Sequence, residues 1–399
     1  MRLNVPLTIK IVALYGILWQ TYPSMISIKI TSELIDRIKK LDNSILPCYA
    51  EIAHLNTTEL EAIHRYARIS AIGASTRIEN ALLTDSEINW LDTILSADGK
   101  KTAFEQNKGL IKNKLSKDRE RSIEEVAGCR NMLLQIYEKH GEILLLREVD
   151  IRGLHDVLMR PYLKDGSRAG NYKTQSNSVV EINHHTGETR TVFKTADPGL
   201  STAIAMQELI NWYNKAIINE PWPIVVATEF TYRFLAIHPF QDGNGRVGRG
   251  LFLLSLLQSN NKALSTVARY IAIDRQIEKH KEEYYFVLNA CSNGRYLKNP
   301  TDYKMEHFLK FMIKMIEKSL LDMEVYRKKY ANVQKLSESA FSVFNCFKDF
   351  PEIKLQTKKI CEETQLPRRT VINCLNILLG YGLLQKYGQG AGIKYQVTF

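Results

Sequence analysis

His238-Pro-Phe-Gln-Asp-Gly-Asn-Gly-Arg-Val-Gly-Arg249 is the stretch from which the rest of the chain is read. Pro239 stops the helix before it, and Gly243 and Gly245 let the backbone turn tightly where the next helix starts. Free N–H groups at such a start make an anion site. Arg246 and Arg249 are three apart on the new helix, so both point the same way, and two guanidinium forks suit a polyphosphate. Asp242 is placed to hold Mg²⁺ against phosphate oxygens. Asn244 offers a hydrogen bond to phosphate without adding charge. His238, with an ordinary pKa of about 6.5, is placed to accept a hydroxyl proton. The stretch is neither G-x-x-x-x-G-K-[ST] nor H-E-x-x-H.

Outward from it, the apolar spacing is helical. Pro221 and Pro223 open a helix reaching Ile237, and Leu251, Phe252, Leu254 and Leu257 mark a buried helix after the turn. Upstream, helices are expected from Thr31 and Ser32, from about Thr58 to Glu79, from the Thr84–Glu87 capping box, and over Ile123–Tyr137, Val149–Met159 and Ser201–Tyr213. The lysine-rich segment from Ser96 to Arg121 reads as an exposed insertion. Val179, Val180 and Ile182 with Thr189, Thr191 and Phe193 flank His184-His185-Thr186-Gly187, the pattern of a β-hairpin. Helices continue to about Lys329. Past that, Ser342–Phe347, Thr357–Glu363 and Arg368–Leu379 read as three helices, and a glycine-rich stretch and Lys394–Val397 as a small β-wing. Together they predict a winged helix. The expected partition is a tail or misassigned start over 1–26, a helical region over 27–120, a core over 121–330 and the winged helix over 334–399.

The chain has 399 residues, 45% apolar and 24% charged, which is ordinary for a globular protein. A net charge of +11 favours anionic partners such as nucleotides. The six cysteines form no C-x-x-C pair and no histidine cluster joins them at zinc spacing, so they read as free, mostly buried thiols in a reducing compartment. The apolar run Ile11–Trp19 is too short to cross a bilayer and is followed by no cleavage pattern, with Met25 an alternative start. The expectation is a cytoplasmic protein with no membrane contact.

The opening stretch resembles the Fic family motif H-P-F-x-[DE]-G-N-G-R-x-x-R, with every fixed position met. The resemblance implies a mainly α fold: a Fic-type helical bundle with a β-hairpin flap, here followed by the winged helix. It implies transfer of AMP from ATP to a Ser, Thr or Tyr hydroxyl of a target protein, the chain itself included. His238 is then the general base, Asp242 the Mg²⁺ ligand, and Gly243, Asn244 and Gly245 the cradle of the α- and β-phosphates. Arg246 takes the β-phosphate and Arg249 the γ-phosphate. Ser75-Thr76-Arg77-Ile78-Glu79-Asn80 fits the family's inhibitory motif [ST]-x-x-x-E-[GN], which implies that Glu79 pairs with Arg249 and denies the γ-phosphate its partner. Tyr284-Tyr285 matches a pair that lines the family's adenine pocket. The hairpin at 179–194 is where the family receives its target by adding a strand. Two other readings stay open: removal of AMP at the same site, and a DNA-binding regulator led by Arg368, Arg369 and Thr370. Homo-oligomerisation, and protein binding by the winged helix, are left open too.

Overall fold

Helix starts follow from side chains that satisfy free backbone donors. Thr31 accepts from the Leu34 N–H at 3.3 Å and opens α1 (Ser32–Ile52), which buries Leu34, Ile38, Leu41 and Ile45. Asn56 and Glu59 form a capping box before α2 (Thr57–Ile78), and Thr84 and Glu87 another before α3 (Asp85–Ile94). The computed structural model describes residues 25–96, 104–115, 119–143, 145–161, 168–182, 189–348 and 354–398. The readings of Ile11–Trp19 and of the His184–Gly187 turn lie outside the described residues.

The segment expected as a solvated insertion contains α4 (Phe104–Lys114). Phe104, Ile111 and Leu115 are buried, and Lys108 pairs with Glu124 at 3.0 Å. Its lysines hide an apolar stripe that recurs at helical spacing, which is why it is not a loop. The helices α5 (Glu120–Lys139), α6 (Glu148–Met159), α7 (Leu200–Asn219), α8 (Pro223–Ile237) and α9 (Asn244–Leu257) follow. Between α6 and α7, β1 (Val179–Ile182) pairs antiparallel with β2 (Thr189–Phe193). Then come α10 (Lys262–Val267), α11 (Ile273–Lys279), α12 (Lys281–Ala290) and the long α13 (Glu306–Gln334).

One apolar core runs from Ile28 to Tyr326, so the helices before and after residue 120 share it. The C-terminal unit has its own core, from Ala340 to Tyr395. It holds α14 (Glu338–Lys348), α15 (Thr357–Thr364) and α16 (Arg368–Gly380), with β3 (Leu355–Gln356), β4 (Leu384–Tyr387) and β5 (Lys394–Val397) in the order β3-β5-β4. Its last strand touches the rest of the chain: Ser86 Oγ donates to the Val397 carbonyl at 3.2 Å, and Lys329 Nζ to that of Thr398 at 2.7 Å. Cys48, Cys129, Cys291, Cys346, Cys361 and Cys374 are free thiols. Among the described residues no helix is long and apolar enough to cross a membrane.

Candidate active site

Helix α8 ends because Pro239 cannot continue it, and His238 takes a left-handed conformation at its cap (φ 54°). Burial pushes the imidazole down to about 4, so it is neutral near pH 7. Its Nδ1 lies 3.2 Å from the Leu235 carbonyl, which can only accept. The proton therefore belongs on Nδ1, and Nε2 keeps its lone pair.

The loop after His238 is clamped by side chains the sequence reading did not assign to it. His155 is buried, its Nδ1 accepts from the Gly170 N–H at 2.9 Å, and Nε2 thus donates to the Asp242 carbonyl at 3.0 Å. Its ring stacks on Phe240 at 3.7 Å. Asn177 Nδ2 donates to the His238 and Phe240 carbonyls at 3.1 and 2.5 Å. The buried Lys173 ammonium binds Asn177, Thr195 and the Ile237 carbonyl at 2.9–3.0 Å. Burial lowers its pKa to about 8. Lys173, Asn177 and Thr195 flank the β1–β2 hairpin, so the same network ties hairpin and loop together.

Asn244 is 1% exposed. Its Oδ1 accepts from the Phe240 N–H at 2.9 Å and its Nδ2 donates to the Phe240 carbonyl at 2.7 Å. The side chain expected on a phosphate is thus committed to closing the loop, and what Asn244 can offer a ligand is its backbone. Gly243 caps α9 with φ 78°, a conformation that disfavours other residues. Gly245 is needed for another reason: a Cβ there would lie 2.2 Å from Glu79 Oε1. The carboxylate of Glu79 therefore rests against the N-terminus of α9, the position that attracts an anion.

Glu79 itself caps α2. Asn80 follows at φ 70°, its N–H on the Arg77 carbonyl at 3.0 Å, and the Ala81 N–H on that of Thr76 at 3.1 Å. This is a Schellman end, and it explains why the sixth motif position takes Asn or Gly. Arg249 Nη2 donates to Glu79 Oε1 at 3.0 Å and to the Ser75 carbonyl at 2.8 Å; Nε donates to Ser75 Oγ at 3.0 Å. Asp274 at the start of α11 adds a second carboxylate, 3.0 Å from Nε. Burial opposes the charge on Arg249, but Glu79, together with Asp274 and two tyrosines, outweighs it and holds the guanidinium charged.

A cleft of about 1000 Å³, open to solvent, is lined by His238, Asp242, Gly243, Asn244, Gly245, Arg249, Glu79, Tyr284 and Tyr285, with Phe193 from the hairpin. Ser75 lies behind its wall, buried under Arg249. Tyr284 is buried and Tyr285 partly exposed, their rings 5.4 Å apart. Arg246 departs from expectation. It is 2% exposed and does not share the cleft wall with Arg249, its Nη2 lying 3.6 Å from Asp242 Oδ1. Asp242 accepts from the Gly243 N–H at 2.5 Å through Oδ1, and its half-exposed carboxylate faces the cleft. One such carboxylate suits Mg²⁺, which takes few protein ligands and completes its shell with phosphate oxygens and water. Asp274, His155 and Lys173 left no local signal, because each reaches the site from a distant segment.

Residues 145–256 match the Fic/DOC family. The fold is similar to that of a Fic family protein from Desulfovibrio desulfuricans G20, with a TM-score of 0.51 at 22% identity over 94% of this chain and 98% of that one. It is also similar to a Fic domain containing signaling protein from Bacteroides thetaiotaomicron VPI-5482, at 0.52 and 21% over 73% and 97%. Fic-1 from C. elegans matches at 0.50 and 18% over 73% of each chain.

Proposed function

We propose, from the premise that this is a Fic-domain protein, that it transfers AMP from ATP to a Ser, Thr or Tyr hydroxyl of a target protein and is held off by Glu79. The observation that carries the reading is His238: a neutral imidazole whose Nε2 lone pair is available in the cleft that also contains the N-terminus of α9 and Arg249. His238 Nε2 takes the proton of the hydroxyl as its oxygen attacks the α-phosphorus. The bond from that phosphorus to the pyrophosphate oxygen breaks, and pyrophosphate leaves. The N–H groups of Asn244 and Gly245, at the start of α9, would face the phosphate oxygens, where fixed donors stabilise charge most in the transition state, while that of Gly243 is held by Asp242 Oδ1. Asp242 would hold Mg²⁺, which when bound neutralises phosphate charge. Arg249 would take the γ-phosphate, and Tyr284 and Tyr285 would flank the base. The hairpin at 179–194 would seat the target, by strand addition.

The full-length Glu79→Gly protein tests this. It should label protein from α-³²P-ATP and not from γ-³²P-ATP, several-fold above the wild type, and mass spectrometry of the labelled band should show AMP on a hydroxyl. Binding of Mg-ATP without any label transfer would end the transferase reading. Removal of AMP is the second reading, favoured by Glu79 and His238 lining one cleft, where Glu79 is placed to hold a water. It predicts instead that Glu79→Gly loses AMP release from a modified protein. The C-terminal unit we read as a winged helix. Arg368 and Arg369 are exposed at the start of α16, and a salt-sensitive gel shift with duplex DNA would reveal a nucleic-acid partner.

A further inference from the structure

Residue 77 sits between Ser75 and Glu79 in the last turn of α2. Ser75 and Glu79 are four apart and both meet Arg249. A residue two positions from each projects from the opposite side of the helix. There Arg77 makes a fork on Glu278 of α11, with Nε to Oε1 at 2.6 Å and Nη2 to Oε2 at 3.0 Å. Its Nη1 donates to Asp85 Oδ1 at 2.7 Å and to the Leu83 carbonyl at 3.0 Å. The side chain is three-quarters buried, so these contacts are shielded from water and salt. Burial opposes its charge, but Glu278 and Asp85 together hold it firmly protonated.

The geometry points to Arg77 as the positioning residue that sets the inhibitory carboxylate. The last turn of α2 is gripped from two sides: by Arg249 through Ser75 and Glu79, and by Glu278 and Asp85 through Arg77. Helix α11 carries both ends of this grip, since Asp274, at its start, pairs with Arg249 and Glu278, near its end, pairs with Arg77. Rotation of α2 by one residue swings Glu79 by about 100°, off Arg249 and away from the start of α9. Arg77 opposes that rotation, and it also pins the turn from Ala81 to Asp85 that follows the Schellman end. Its function is to fix where Glu79 points; it touches neither the cleft nor a substrate there. This inference rests on the reading of Glu79 as the inhibitor.

The test is label transfer from α-³²P-ATP by full-length Arg77→Ala, Arg77→Lys, Glu79→Gly and the Arg77→Ala/Glu79→Gly double variant, with the ATP KM measured for each. Arg77→Ala should raise labelling several-fold, short of the gain in Glu79→Gly, and lower the KM for ATP as Arg249 is released. Arg77→Lys keeps a charge but not the fork, and should fall between wild type and Arg77→Ala. The double variant should match Glu79→Gly. If Glu79→Gly gains and Arg77→Ala stays at the wild-type level, the positioning role is wrong; if Glu79→Gly gains nothing, the inhibitory reading itself fails. Should Arg77→Ala not fold, Glu278→Gln leaves Arg77 bound to Asp85 and should show the same gain, and a wild-type level there would equally overturn the role.

Discussion

The loop that carries the chemistry and the segment that opposes it are held by different forces. Between His238 and Asn244 the anchors are hydrogen bonds of uncharged side chains, buried or partly buried: Asn244 on Phe240, Asn177 on His238 and Phe240, and a neutral His155 on Asp242. Between Ser75 and Asn80 most are charged: Glu79 on Arg249, Arg77 on Glu278 and Asp85, and the Lys281 ammonium on Asn80. A broken bond in the first set strands a buried group, so that loop has one arrangement. In the second set one carboxylate can give way to another anion. Glu79 is also the more exposed partner, its side chain 31% accessible against 4% for Arg249. Asp274 would keep Arg249 paired after Glu79 leaves. The difference describes a site whose chemistry is preformed and whose inhibition is exchangeable.

The largest effect expected to test that contrast is at His238. His238→Ala in the Glu79→Gly background should lower label transfer by about 10²–10⁴-fold, the usual worth of a general base. ATP binding, measured separately, should change little. Retained labelling would remove the base from its role.

Next is Asn244→Ala. It strands the buried amide of Phe240, whose carbonyl keeps Asn177, so unfolding should become easier by about 1–3 kcal/mol, read from denaturant midpoints. Ser75→Ala should cost less, because Arg249 keeps Glu79, Asp274 and the Ser75 carbonyl. Equal losses would erase the distinction between the two regions.

The smallest effect is with pH. Burial holds His238, His155 and His64 at about 4, against about 6.5 unfolded. The neutral forms favour the fold, so stability is intact above pH 6.5 and falls as the pH drops from about 6.5 towards 4. Labelling by Glu79→Gly should stay level from pH 8 to about pH 5.5, where an unshifted histidine would already be mostly protonated. A half-maximal rate near pH 6.5 would contradict the assigned state of His238.

The glycine turn and its flanking helices were legible because their signals are local: a proline stop, two glycines, and apolar residues at helical spacing. Ser75 and Glu79 are legible only through their resemblance to the family's inhibitory motif, since a four-residue interval on one helix is common. The burial of α4 was hidden by its lysines, although Phe104, Ile111 and Leu115 keep one face. The role of the Asn244 side chain is not legible, because a polar side chain in a glycine turn can face either a ligand or its own loop, and only the fold decides. Asp274, Lys173 and His155 carried no mark of their purpose, since their partners lie many residues away along the chain.

Calorimetric titration of Mg-ATP and Mg-ADP into the wild type and Glu79→Gly tests the exchange at Arg249 most directly. The two nucleotides differ only in the γ-phosphate. Glu79→Gly should tighten ATP about ten- to a hundredfold more than ADP, the worth of one charge-assisted bond regained. An equal change for both nucleotides would show that Arg249 does not pass from Glu79 to the γ-phosphate.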